Sequence, residues 1–365
     1  MRPACWILLA GALAIGSGYG TALQAQSVSG HVFGPGRRPL SSALVELQRV
    51  DGVAVQRVLS SATGGFLLTA PGPGTYRYRV VAIGYRPLPL TSLTVPAVGV
   101  VVPDVILQAV SVRLPDLVAV AGNRFCGRQR ANSDIFDGFL QAAHTALDVM
   151  ETSVTSHAIA FTVARIDSRS VYGAYTNFET ADTTIQPLAR WPIQSIDLDT
   201  LRIHGFGRLL QPGNENSREY YGPDARVLFS SWFLDSHCFT IDKPNRKHPS
   251  DSLHLRFAPA RKSRLIDISG ELVLDAHTLA LLQMSFEHQN LPKWMSVGQA
   301  GGNMEFSPMP SGLWVTRTWQ LWAPLGGQGP DGHMEVRGEV ERYGWVIQTF
   351  EGDSAARTTP KDSGP

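Results

Sequence analysis

The chain has 365 residues, 43% of them hydrophobic and 17% charged, with a formal net charge of +1. That length suffices for two ordinary domains with sizeable cores. The near-zero net charge excludes the basic surface of a nucleic-acid binder and gives no reason to expect recruitment to anionic lipid. With 35 glycines and 24 prolines, chain punctuation is frequent, which favours many short strands over long helices.

The N-terminus departs from this pattern. Arg2 precedes an apolar run from Ala4 to Ile15, and small residues follow, with Ala22 and Ala25-Gln26 as cleavage points. A basic, then apolar, then small-residue order predicts a secretory signal peptide over residues 1–25. The run is shorter than the ~20 residues a bilayer span requires, which favours cleavage over anchoring. No later segment is long and apolar enough to span a membrane as a helix. Periplasmic, outer-membrane-associated or secreted localisation is therefore expected. Signal removal leaves two cysteines, Cys126 and Cys238. In an oxidising compartment such a pair is a disulfide candidate, the alternative being two buried thiols.

From Ser27 short strand-like runs alternate with turn residues. Asp51-Gly52 is a hairpin dipeptide between Ala43–Leu47 and Val53–Val58. In Tyr76–Val81, residues Tyr76, Tyr78 and Val80 share one face while Arg77 and Arg79 take the other, the pattern of a half-buried strand. The spacing predicts a sandwich of about seven strands, the last at Val100–Leu107. Gly30-His31-Val32, Pro39-Leu40, Ala43–Leu47, Thr63-Gly64-Gly65-Phe66, Pro73-Gly74-Thr75-Tyr76 and Gly84-Tyr85 together resemble the carboxypeptidase regulatory-like domain over residues 27–110. The resemblance implies a non-catalytic, transthyretin-like or starch-binding-like β-sandwich found at the front of exported proteins. Some relatives in this fold bind carbohydrate, which fold alone does not transfer.

Residues 111–130 read as an extended, proline-interrupted linker, and 131–350 as a β-rich α+β domain. Ser133 is placed to cap a helix whose apolar face comprises Ile135, Phe136, Phe139, Leu140, Ala143, Leu147 and Met150. Strands are expected at Ala158–Ile166, Val227–Phe233, Leu253–Phe257, Leu265–Leu274, Leu281–His288, Gly312–Leu321 and Met334–Val340. One helix before a long antiparallel series predicts a strongly curved sheet. Tyr221–Ser230, Phe233–Phe239, Gly270–Asp275 and Gly312–Val315 are similar to the C-terminal part of exported bacterial proteins that carry the same regulatory-like domain, a family with no activity to transfer. The strand series also resembles, by pattern alone, the acyl-chain-holding half-barrels of periplasmic lipoprotein-sorting proteins. The small, polar tail 351–365 is expected to be disordered.

Chemistry-bearing motifs are sparse. The sequence contains no His-Glu-x-x-His, no Cys-x-x-Cys, no Gly-x-Ser-x-Gly elbow and no phosphate-cradling Gly-x-x-x-x-Gly-Lys loop, so no cofactor or metal is expected. Asp197-Leu198-Asp199-Thr200 reads as a turn or helix start. His237-Cys238 is an adjacent pair with ligand or nucleophile potential, and Asp235 would share its face if one strand carried both. Eight tryptophans exceed what most cores need. Trp314 and Trp322 share a face if their strand is unbroken, with Trp319 on the other. The leading expectation is a non-catalytic envelope binding or interaction protein, possible ligand aromatics being Tyr76, Tyr78, Trp314 and Trp322. Its partner would be an envelope polysaccharide, a lipid or an outer-membrane protein. The alternatives are a lipid-binding half-barrel and a hydrolase assembled from His204, Asp235 and His237.

Overall fold

The computed structural model describes residues 26–110, 123–126, 134–155, 159–172, 177–187, 193, 195–211, 213–214, 218–242, 251–309 and 314–351. The expected signal peptide, residues 111–122 and 127–130 of the expected linker, the expected Ser133 helix cap and the tail beyond 351 lie outside the described residues.

Eight strands form the first unit: β1 (Gln26–Phe33), β2 (Leu44–Arg49), β3 (Ala54–Leu59), β4 (Gly65–Ala70), β5 (Gly74–Val81), β6 (Leu88–Val95), β7 (Val100–Val101) and β8 (Val105–Ile106). One sheet runs β4-β1-β7 with β8 also paired to β1, and the other runs β3-β2-β5-β6. The expected last strand is two short ones because Pro103, with no N–H to donate, falls between them. Between the sheets Val28, Val32, Val45, Leu47, Leu68, Tyr76, Tyr78 and Val80 form the core. Gly64 turns the chain into β4 at φ +79°, and a Cβ there would stand 2.3 Å from the Val32 carbonyl oxygen. The glycine between Thr63 and Phe66 is thus obligatory for the turn.

The second unit is built on helix α1 (Asp134–Thr155) and a wholly antiparallel ten-stranded sheet. Its strands are β9 (Arg124–Cys126), β10 (Ile159–Tyr172), β11 (Asn177–Pro187), β14 (His237–Ile241), β15 (Ser252–Pro259), β16 (Asp267–Asp275), β17 (Leu281–Gln289), β18 (Gly301–Pro308), β19 (Trp314–Gln328) and β20 (Met334–Glu351). The order is β11-β10-β20-β19-β18-β17-β16-β15-β14-β9. A small hairpin, β12 (Gly207–Leu209) with β13 (Arg218–Tyr220), stands apart. Residues 124–126, inside the stretch read as linker, are therefore the edge strand of the large sheet. Phe136, Phe139, Leu140, Ala143, Leu147 and Met150 of α1 pack into the main core with Phe239, Phe257, Leu272, Met284, Phe286 and Trp319, as the helical spacing anticipated. One other turn of α1 faces the sandwich, where Val149 packs with Leu44 of β2 and Val81 of β5.

Among the described residues the expected single α-helix is joined by three short α-helices, α2 (Leu198–His204), α3 (Ala225–Leu228) and α4 (Ser231–Ser236). The last two replace the strand expected over Val227–Phe233. Two N-caps decide this: the Asp224 carboxylate accepts from Val227 N at 3.0 Å, and Ser230 Oγ accepts from Phe233 N at 3.1 Å. Asp197 caps α2 in the same way, accepting from Thr200 N at 2.8 Å, so its motif is a helix start. Among the described residues no helix is long and apolar enough to cross a membrane.

Candidate functional site

Strand alternation gives the ten-stranded sheet two unlike faces. Leu253, Leu255 and Phe257 of β15, Leu272 and Leu274 of β16, and Met284 and Phe286 of β17 point into the core under α1. Register then fixes the other face. Thr240 lies opposite Arg124 and Arg256, Arg256 opposite Glu271, Glu271 opposite Ser285, Ser285 opposite Asn303, and Asn303 opposite Gln320. A trough of about 640 Å³ lies on this face, lined from β9 and from β14 through β19. Lining by so many neighbouring strands makes the face concave. Register shifts in the β16/β17 and β18/β19 pairs accompany that bend.

Chemistry changes along the trough. At one wall Arg256 pairs with Asp242 at 2.5 Å beside Arg124. Gln283, Ser285 and Asn303 form the floor, with Glu271 and Glu287 beside them. Asn303 Nδ2 donates to Gln320 Oε1 at 3.3 Å, and Gln320 donates in turn to Glu341. Trp322 closes the far wall, its indole Nε1 donating to the Gly298 carbonyl at 2.9 Å. That bond fixes the ring plane.

The disulfide also belongs to this face. Cys126 and Cys238 are direct cross-strand partners with Cα atoms 4.3 Å apart, the separation of a non-hydrogen-bonded antiparallel pair. Their bond ties edge strand β9 to the sheet, and Cys238 lines the trough. The pairing considered from the cysteine count is thus present.

The aromatic candidates separate. Tyr76 and Tyr78 are both only 7% exposed and sit in the sandwich core, Tyr76 donating its hydroxyl to the Gly72 carbonyl at 2.9 Å. Their inward alternation corrects the expectation of a sugar platform there. Trp314 and Trp322 do not share a face, because Thr316 pairs with Phe306 and Thr318 with Glu305, leaving Arg317 as an extra bulged residue. The bulge inverts the alternation. Trp314 joins Trp319 on the core side, while Trp322 faces the trough.

The residues of the scattered hydrolase site fare differently. His204 is exposed at the end of α2, and Asp235 is exposed on α4, not on the strand of His237. His237 has no solvent exposure and stacks on Phe233 with ring centroids 3.7 Å apart. Its Nε2 faces Asp267 Oδ1 at 3.1 Å and the Ile268 carbonyl at 3.2 Å, and its Nδ1 faces the Phe233 carbonyl at 3.2 Å and Ser236 Oγ at 3.0 Å. Ser236, His237 and Asp267 thus lie in a row, a constellation the sequence reading missed. Each ring nitrogen faces a backbone carbonyl and a side-chain oxygen, and the ring has no solvent exposure, so the row is closed to an incoming substrate as it stands.

Trp322 lines both the trough and a second cleft of about 640 Å³, which lies between the Tyr220–Gly222 segment and strands β10, β19 and β20. His288, 2% exposed, lines it with Nε2 3.0 Å from the Tyr221 carbonyl, and burial holds its imidazole below the ordinary range. The Tyr221 phenol is pushed up to about 12 by burial and by its hydrogen bond to Glu219. Among the described residues no cluster of three or more histidine, cysteine or carboxylate side chains could hold a metal.

The carboxypeptidase regulatory-like domain matches residues 27–108, which bears out the resemblance carried by the first domain's turn and strand elements. No curated protein matches the chain. Solved structures that share features include the dioxygenase domain of a dioxygenase–carbohydrate-binding protein fusion from Streptomyces sp. SirexAA-E, at 21% identity over 24% of this chain and 80% of that one, TM-score 0.20. Catechol 1,2-dioxygenase from Pseudomonas arvilla C-1 matches at 15% identity, TM-score 0.18, over 23% of this chain and about half (52%) of that one. BcpA, the major pilin subunit of Bacillus cereus, matches at 10% identity over 88% of this chain and 95% of that one, TM-score 0.22. Superpositions this loose transfer neither fold nor activity.

Proposed function

We propose that the protein is a non-catalytic binding protein of the bacterial cell envelope that holds a polysaccharide segment in the trough of its ten-stranded sheet. The observation that carries this reading is the placement of Trp322. It is an indole held in fixed orientation by Gly298, at the wall of a concave surface whose floor is amide, hydroxyl and carboxylate. Sugars present an apolar C–H face to an aromatic ring and hydroxyls to such side chains. Arg124, Arg256, Glu271 and Glu287 give an acyl chain no apolar bed, which sets the half-barrel alternative behind. His237 has no solvent exposure, and His204 and Asp235 lie away from it on α2 and α4, which does the same for the hydrolase alternative. The export signal read from residues 1–25 supports an envelope location.

The test is a binding screen of the purified chain against envelope glycans, comprising peptidoglycan strands, O-chain polysaccharide and capsular polymers. The reading expects saturable binding to one class and its loss in Trp322→Ala. Binding to none of them, or binding unchanged in that variant, counts against it.

A further inference from the structure

The net charge of +1 conceals a local asymmetry at one end of the large sheet. In an antiparallel series the β15–β16 and β17–β18 turns emerge at the same end, and Asn290 Nδ2 binds the Leu265 carbonyl at 3.1 Å, tying the two turns together. The first turn carries Arg261, Lys262 and Arg264, all exposed, and the second carries exposed Lys293. None of these four has an ion-pair partner among the described residues.

Exposed apolar side chains accompany them. Leu265 is 40% and Val297 59% exposed in the two turns, and Ile203 is 66% exposed in α2. The end of α2 lies against the first turn, since Phe206 N donates to the Ile266 carbonyl at 2.7 Å. Beside the first turn a cleft of about 700 Å³ is lined by Arg261, Lys262 and Trp232. Two carboxylates line it as well: exposed Asp235, and Asp267, which is engaged by His237 Nε2 and by the Ile268 N–H. Cations without ion-pair partners among the described residues stand here among solvent-facing aliphatic side chains at adjoining loop tips. They match an interface offering anionic headgroups above hydrocarbon.

We infer that this end of the ten-stranded sheet docks on an anionic lipid surface, with Arg261, Lys262, Arg264 and Lys293 at headgroup level and Leu265 and Val297 below them. The inference does not depend on what the trough binds. A chain seated this way stands with the sheet's strands rising from the membrane.

Flotation of the full chain with phosphatidylglycerol vesicles and with phosphatidylcholine vesicles tests it. An N-terminal apolar run, where retained, would add the same partitioning to both compositions, so the readout is the difference between them. We expect at least tenfold tighter association with phosphatidylglycerol, lost in 0.5 M salt. Arg261→Gln/Lys262→Gln reduces it about 25-fold, at roughly fivefold per cation near the surface. Val297→Asp weakens binding without altering the melting transition. Equal association with both lipids, or an unchanged double variant, overturns the inference. So does competition by soluble polyphosphate with Val297→Asp silent, which would mark a polyanion site.

Discussion

Arg79 of strand β5 and Asp148 of helix α1 meet across the boundary between the two domains, Nη2 to Oδ2 at 3.3 Å. The same guanidinium nitrogen reaches Glu46 Oε2 at 2.9 Å, and Arg57 Nε reaches that oxygen at 3.0 Å. Glu46 and Asp148 keep only 2% and 7% of their side-chain surface. Two carboxylates buried in one interface require the arginines between them.

Removing Arg79 leaves Glu46 only to Arg57 and Gln48, and Asp148 only to His144 at 3.4 Å and Arg57 at 3.9 Å. Arg79→Ala is expected to cost about 3 kcal/mol, toward the lower end for a broken buried pair because the guanidinium is 22% exposed. Urea unfolding followed by tryptophan fluorescence measures it. An unchanged midpoint would mean that the sandwich and the helix are not energetically joined.

The same interface carries a pH dependence. Burial, opposed by Asp148 and reinforced by Arg79 and Arg57, lowers the imidazole of His144 from its ordinary 6.5. The unfolded chain then takes up a proton that the folded chain resists, so stability falls as pH drops through 6.5. Glu46 adds to the loss at lower pH. Burial raises its carboxyl, but hydrogen bonds from Gln48 and Arg79 and the arginine charges outweigh that and hold it below 4.5. Glu151, raised by burial and by Asp224 and Asp148, works in the opposite sense. His144→Gln isolates the first effect: melting temperatures measured from pH 7.5 to 5.5 should fall less in the variant than in the wild type.

The disulfide closes a loop between positions 112 apart in sequence. In the chain-entropy account a loop of that order contributes up to ~4.7 kcal/mol. Cys126→Ser/Cys238→Ser is expected to lose about 2–4 kcal/mol and to release β9 from the sheet edge. Amide exchange at Arg124–Cys126 and Thr240 would rise well before that of β16 and β17. Uniform protection in the double variant would contradict this.

Gly344 tests the bulged architecture. A Cβ on it would lie 2.1 Å from the Trp319 ring. Gly344→Ala must displace a core indole that is 3% exposed, costing about 2–3 kcal/mol. Near-ultraviolet circular dichroism should report the change through the tryptophan band.

Much of this fold was legible where one element dictates its own periodicity. The apolar spacing from Phe136 to Met150 gave the helix and its buried face, and the Tyr76–Val81 alternation put Arg79 on the side where Asp148 waits. What escaped was set by partners distant in sequence. Val227–Phe233 reads as a strand until the Asp224 and Ser230 caps outweigh its apolar content. Trp314 and Trp322 read as neighbours until the β18 register forces a bulge at Arg317. The trough itself collects residues from β9 and β14 through β19 that no local pattern links, so only Trp322 of its lining stood among the candidate aromatics.

The central claim is tested most directly by calorimetric titration of a trough-filling envelope oligosaccharide into the wild type, Trp322→Ala, Asn303→Ala and Trp314→Phe. The account predicts at least about tenfold weaker binding, or ~1.4 kcal/mol, in each trough variant, with melting temperatures near the wild-type value. Trp314→Phe, altering only the core face, should bind normally. Full affinity in Trp322→Ala and Asn303→Ala would contradict the assignment of the trough as the ligand site.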